Sequence, residues 1–170
     1  MSCSQTLSGI ANDCTPSMGG IAEVYIANRE DVSAVTVTDN KVTAVTMAAS
    51  AKFKKYSFRR GTGSLTSTLT ADAANGVSYV TSELALQFNR METTKRVEIN
   101  ALAVNEMAVI CKDANGVYWY LGYDEGVFAS AGDGQTGTAR SDANRYSITL
   151  QDNSHEMPYE VDAAVIETLL

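Results

Sequence analysis

Few side chains in this sequence could carry chemistry, and none stands in the company that chemistry needs. His155 is the single histidine of the 170 residues and lies beside Glu156 in a turn ahead of Pro158. Metal centres draw on clustered His, Cys and carboxylate ligands, so an isolated imidazole with distant cysteines predicts no metal. A nucleophilic triad would need the same histidine, and no Ser or Cys sits in a Gly-x-Ser-x-Gly or comparable setting. The acidic pairs Glu30/Asp31 and Asp124/Glu125 are neighbours in the chain. Adjacent residues of a strand face opposite sides, which is wrong for two carboxylates acting on one bond. A calcium turn around Asp133-Gly134 lacks the acidic spacing of an EF-hand. Cys3, Cys14 and Cys111 are an odd, scattered set rather than a disulfide framework. Cys3 and Cys14 could pair in an oxidising setting, but free thiols in a cytosolic protein are the favoured expectation. No catalytic residue, metal or cofactor is expected, and the sequence reads as that of a non-enzyme.

One stretch has a definite charge character. Residues 52–60, KFKKYSFRR, carry five basic side chains in nine, Lys52, Lys54, Lys55, Arg59 and Arg60, with Phe53, Tyr56 and Phe58 interleaved. Such runs can bind single-stranded nucleic acid by stacking and charge. An alternating strand with Lys and Arg on its exposed side also resists edge-to-edge aggregation or pairs with acidic neighbours. Net charge is −7, so charge pairing between subunits is favoured over a plain solvated face, and nucleic acid ranks last. Gly61-Thr62-Gly63 then turns the chain; it is no phosphate loop, because no Gly-Lys-Ser/Thr follows and no helix opens from it.

The elements that would position these groups are mostly strands. Ser64 to Asn89 alternates strictly, with Leu65 and Leu69, then Val80, Leu84, Leu86 and Phe88 on one face. Ser64, Thr66, Thr68 and Thr70, then Tyr79, Thr81, Glu83, Ala85 and Gln87, take the other. Period-two alternation of this kind marks strands with one buried face, and Asn75-Gly76 offers the positive-φ residues of a hairpin turn. The predicted centre is therefore a long antiparallel hairpin with a broad Thr/Ser/Gln face, better suited to a wet wall than to a catalytic pocket. Ahead of it, 21–27 reads as a strand, 28–31 as a short charged connection, and 32–37 with 41–47 as a β-meander around Asp39-Asn40. After it, 93–104 predicts one amphipathic helix capped by Thr93 or Thr94, with Val97, Ala101, Val104, Ile99 and Leu102 toward the sheet. Then come a hairpin over 107–112 and 117–121 holding Trp119 as core or interface, a bent strand over 122–130 and a loop over 131–143. A strand over 145–152, with Tyr146, Ile148 and Leu150 inward, and a last strand over 159–166 complete the reading. The fold class expected is mainly β, a sandwich or barrel with long hairpins and one flanking α-helix.

Totals are consistent with one domain. A chain of 170 residues can bury a real core, and 45% hydrophobic residues with two prolines and 12 glycines argue against disorder. Residues 1–20 read as an irregular arm, either frayed or laid on a neighbouring subunit, and 21–170 as a single β-rich domain. No basic leader followed by an apolar run opens the sequence, so no signal peptide is expected. No apolar stretch approaches the ~20 residues of a membrane helix, so no membrane partner is expected.

From Met107 onward the order of features resembles a known family. A helix is followed by an apolar strand, Asp113-Ala114-Asn115-Gly116, and an aromatic strand ending in Leu121-Gly122. Gly126, a Thr136-Gly137 loop, Asp142-Ala143-Asn144-Arg145-Tyr146, Ser147-Ile148-Thr149-Leu150 and Glu156 follow. This resembles the C-terminal half of phage tail tube proteins, which share a fold with the tubes of contractile injection systems; the resemblance covers roughly residues 50–166. It implies a structural virion protein, a major tail tube subunit forming hexameric rings that stack into a DNA-conducting channel, in the virion tail and made in the bacterial cytoplasm. The partners implied are copies of itself, other tail proteins, and phage DNA that passes without specific binding. Thr66, Thr68, Thr81, Glu83 and Gln87 become lumen-lining candidates, Glu83 repelling phosphates. Lys52, Lys54, Lys55, Arg59 and Arg60, and the arm at 1–20, become subunit or ring contacts. The alternatives are a tail terminator, connector ring or capsid decoration protein, or a carbohydrate- or ligand-binding β domain using Trp119, Tyr118, Tyr120 and Tyr123. Alternation weakens that last reading, since Trp119 and its flanking tyrosines cannot share a face.

Overall fold

The structure is a computed structural model that describes residues 7–170. Cys3, and with it the question of its pairing with Cys14, lies outside the described residues, as does the start of the expected arm. Residues 7–19 have no regular structure and are exposed, and Asn115 holds their end: its side chain accepts from Met18 N at 2.8 Å and donates to Met18 O at 3.0 Å.

The strands follow in chain order as β1 (Ile21–Asn28), β2 (Val32–Thr38), β3 (Lys41–Met47), β4 (Lys54–Tyr56), β5 (Ser64–Asp72) and β6 (Val77–Asn89). After helix α1 (Thr93–Val104) come β7 (Met107–Asp113), β8 (Tyr118–Leu121), β9 (Phe128–Gln135), β10 (Arg145–Ser154), β11 (Tyr159–Val161) and helix α2 (Ala163–Leu169). A seven-stranded sheet runs β2-β3-β11-β8-β7-β1-β4 and a four-stranded sheet runs β5-β6-β10-β9. Pairing is antiparallel except between β3 and β11. The chain is mainly β, 49% strand and 13% helical, with no closed barrel among the described residues.

Alternation explains which faces meet. Val24, Ile26, Val109, Cys111 and Leu121 of the larger sheet pack against Leu84, Leu86, Phe88, Ile148 and Leu150 of the smaller one, with Leu102 of α1 at the edge of the cluster. The other face of the larger sheet offers Tyr25, Val42, Ala108, Ile110, Tyr120 and Val161, covered by Phe53 and by Val165, Ile166 and Leu169 of α2. Hence the first five residues of β7, Met107 to Cys111, are all buried: a strand covered on both faces reads as an apolar run rather than an alternation.

Several expectations are corrected. Residues 159–166 are not one strand: β11 stops at Val161, and Asp162 caps α2 by accepting Ala164 N–H at 3.0 Å. The 131–143 segment is not all loop, since β9 runs to Gln135 by pairing with β10. Its Gly and Asp content suits an edge strand, and Gly134 leaves room for the Tyr146 ring, which a Cβ would meet at 2.8 Å. Residues 122–126 form a turn instead of a strand, held where Val127 bridges to Met107. The strands expected at 32–37 and 41–47 are present, paired as the hairpin of β2 and β3 at the far edge of the larger sheet. The basic run is a strand only over Lys54–Tyr56. The N-cap of α1 is Glu92, without a side-chain cap bond, and not Thr93 or Thr94. That helix also docks through a narrower stripe than expected, Leu102 with Ile99, leaving Val97 54% and Val104 82% exposed.

Candidate functional site

The four-stranded sheet turns one face to the core and the other outward, and the outward face is mostly polar, with Ala85, Ala131 and the exposed Phe128, opposite Gln151, as its apolar positions. On β6, Val80, Ser82, Leu84, Leu86 and Phe88 are buried, so Thr81, Glu83, Ala85 and Gln87 point away from the core. Register extends this into rows. Thr66 of β5 is opposite Glu83, which is opposite Gln151 of β10; Thr68 is opposite Thr81, which is opposite Asn153. Gln87 is opposite Ser147, which is opposite Asp133 of β9. Thr81 and Gln151 both donate to Asn153 Oδ1, at 3.4 and 3.1 Å, and Ser147 donates to Asp133. The five lumen candidates Thr66, Thr68, Thr81, Glu83 and Gln87 are thus gathered on one open surface. Ser147, Thr149, Gln151, Asn153 and Asp133 widen it and were missed. The β10 four were legible from the same period-two rule once Ile148 and Leu150 were placed inward; Asp133 was hidden by the loop-like composition of β9.

The basic candidates lie elsewhere, on and to either side of β4, which among the described residues pairs only with β1 and so forms an edge of the seven-stranded sheet. Lys55 is engaged within the subunit, 2.6 Å from Glu23 and near the face of Tyr25. Its hydrogen bond, with another from the Tyr25 hydroxyl, holds the Glu23 carboxyl below the usual range. Lys52 donates to the Leu170 carbonyl. Lys54, Arg59 and Arg60 are exposed and make no ion pair among the described residues.

His155 is exposed, and its backbone N–H and ring nitrogen meet Asp124 at 2.8 and 2.9 Å. The backbone N–H is the largest cause of the lowered Asp124 carboxyl. Burial pushes the Cys111 thiol up to about 12, leaving it inert between the sheets. Asp142 accepts from Thr138 and Ala139 N–H at 2.8 and 2.7 Å, shaping the loop after β9. Among the described residues no three His, Cys, Asp or Glu side chains are grouped to hold a metal, and no helix is long and apolar enough to cross a membrane. Trp119 packs on the inter-sheet cluster and donates to Asp113 at 3.2 Å, while Tyr118, Tyr120 and Tyr123 belong to the opposite face of the sheet. The four rings form no common platform.

Comparison with protein-family models finds no match, and comparison with curated proteins finds none either. Among solved structures the chain is similar to a chain of the anti-feeding prophage (AFP) baseplate, determined by cryo-EM and 6-fold symmetrised, at a TM-score of 0.44 and 11% identity. The alignment covers 83% of this chain and 97% of that one, and at that TM-score the likeness carries no functional argument.

Proposed function

We propose that this chain is a non-enzymatic structural subunit of a phage-tail-type particle, assembling with its own copies into stacked hexameric rings whose channel is lined by the polar face of the four-stranded sheet. The observation that carries the reading is that face: an uncovered, four-strand-wide surface rich in Thr, Ser, Gln and Asn with Glu83 and Asp133, interrupted by Ala85, Ala131 and the exposed rings of Tyr79 and Phe128. A hydrated lining with a negative bias lets a polyanion slide without adhering. Among the described residues the sheet has two unpaired edges, β5 and β9, and unpaired strand edges are a hazard unless a neighbour closes them. The hairpin of β5 and β6 adds Leu69, Val77 and Tyr79 near its tip, all exposed, at the place where an adjoining subunit would cover them. In this reading Lys54, Arg59 and Arg60 supply contacts between subunits of an acidic protein, and other tail proteins meet the ends of the stack.

Negative-stain microscopy of the purified protein tests the reading. Rings stacked into tubes are expected. A single closed ring would favour a terminator or connector instead, and a persistent monomer would overturn assembly altogether.

A further inference from the structure

The tetrapeptide Ala-Asn-Gly-Val occurs twice in this chain, at 74–77 and at 114–117. Each copy lies at the turn of a hairpin, the first joining β5 to β6 and the second joining β7 to β8. An asparagine followed by glycine can modify itself, because glycine has no side chain to screen its backbone nitrogen from the preceding side-chain amide. Local sequence is the same at both places and both asparagines are exposed. Any difference in their reactivity must therefore come from what the fold does with the two amides.

The second copy is held at every reacting group. Asn115 Oδ1 accepts from Met18 N–H at 2.8 Å, and Nδ2 donates to Met18 O at 3.0 Å and to Ser17 Oγ at 3.4 Å. The Gly116 N–H, whose nitrogen would attack, donates to Asp113 O at 3.2 Å. These bonds must be given up before a ring can close, and each adds to the barrier. In the first copy only one end of the amide is held: Asn75 Nδ2 donates to Asp72 Oδ2 at 2.6 Å. Neither Asn75 Oδ1 nor the Gly76 N–H has a hydrogen-bond partner among the described residues. Nothing lies within 4 Å of the position a Gly76 Cβ would take, so the approach to its nitrogen is open.

We propose that Asn75 is a self-deamidation site, while Asn115, in the same tetrapeptide, is protected by the fold. Hydroxide removes the Gly76 amide proton, and the nitrogen forms a bond to Asn75 Cγ. The Cγ–Nδ2 bond breaks, and ammonia leaves with a proton taken from water. Water then opens the resulting succinimide at one carbonyl to aspartate or at the other to isoaspartate. One water is consumed and one ammonia released, with no change of oxidation state. The new carboxylate faces Asp72, whose own carboxyl is kept below its usual range chiefly by the Asn75 amide, so the clasp across this turn becomes a repulsion. The site stands apart from the assembly reading, since both turns are complete within one subunit.

The test follows both turns in one polypeptide. Full-length protein, kept as folded single subunits, is aged in heavy-oxygen water at mildly alkaline pH, and peptide maps resolve Asn, Asp and isoAsp at each position over time. Labelled product should accumulate at position 75 at least tenfold faster than at position 115, and more slowly at neutral pH. In urea, with the fold gone, the two rates should converge. Gly76→Ala should slow the reaction at Asn75 at least tenfold. Alanine is disfavoured at the φ of 66° found there, so the wild-type comparison carries the test should that variant fail to fold. Equal rates at the two positions in the folded protein, no labelled product at position 75, or a contrast that persists in urea overturns the proposal.

Discussion

Ser82 and Asp152 are opposite each other in the β6/β10 pairing, and both are buried. Their fates differ. The Ser82 hydroxyl meets that of Ser67 at 2.7 Å, whereas Asp152 Oδ1 has no partner among the described residues. Burial pushes the Asp152 carboxyl up to about 6; the Gly122 N–H opposes this, and Asp124 and Glu125 add to it. Between the ordinary value of 3.8 and about 6 the folded chain holds a proton that the unfolded chain has released, so this group lowers stability as pH rises through that window. The span corresponds to about 3 kcal/mol at most. Asp152→Asn should therefore be more stable than wild type at pH 7.5 by about 1–2 kcal/mol, with the difference gone by pH 4. Urea midpoints at the two pH values check this, and an equal difference at both would mean that ionisation is not the cause. Glu83 is the opposite case, exposed in the middle of the polar face. Glu83→Lys should shift folding stability by no more than about 0.5 kcal/mol and leave assembly intact, yet hinder DNA passage. Infectivity of particles built with the variant reads this, and unchanged infectivity would remove Glu83 from the lumen.

At the scale of elements, the long alternating segments behave as their periodicity demands and the short or atypical ones do not. Strands β5, β6 and β10 keep apolar side chains on the core face and mostly polar ones outward, except at the inward row of Ser67, Ser82 and Asp152. Helix α2 was legible in part: Asp162 followed by an apolar spacing of Val165, Ile166 and Leu169 is a start signal with a helical stripe. An apolar run of that length is equally compatible with a strand, and what decides is the docking of its three buried side chains under the larger sheet. Phe53 N–H also donates to Leu169 O at 3.0 Å, tying the helix end to the chain ahead of β4. Leu169→Ala should cost about 2–4 kcal/mol, by cavity formation in that layer. Chemical denaturation measures it; a loss below about 0.5 kcal/mol, the range of an ordinary surface site, would mean that α2 does not cover this core face.

For the whole molecule, the unexpected feature is where α1 leaves its apolar side chains. Val97 and Val104 lie on the outer side of the helix although their spacing would permit burial. On the assembly reading this ridge is covered by another subunit. Val97→Ser combined with Val104→Ser should then leave the isolated fold within about 1 kcal/mol of wild type while weakening self-association. Sedimentation velocity with parallel thermal melts separates the two effects. Unchanged association would place the ridge outside the interface.

The mainly β class, the central hairpin, its polar face and the position of α1 along the chain were determined by the sequence itself, because alternation and turn residues act over a few neighbours. Tertiary structure decided the rest. That β10 lies beside β6 and extends the polar face, that β9 is a strand despite its Gly and Asp content, and that Asp152 and Tyr120 share one cavity all depend on pairing between distant segments. Backbone hydrogen bonds and buried area are the same currency for any strand of suitable period, so local pattern says which face is apolar but not which strand will meet it.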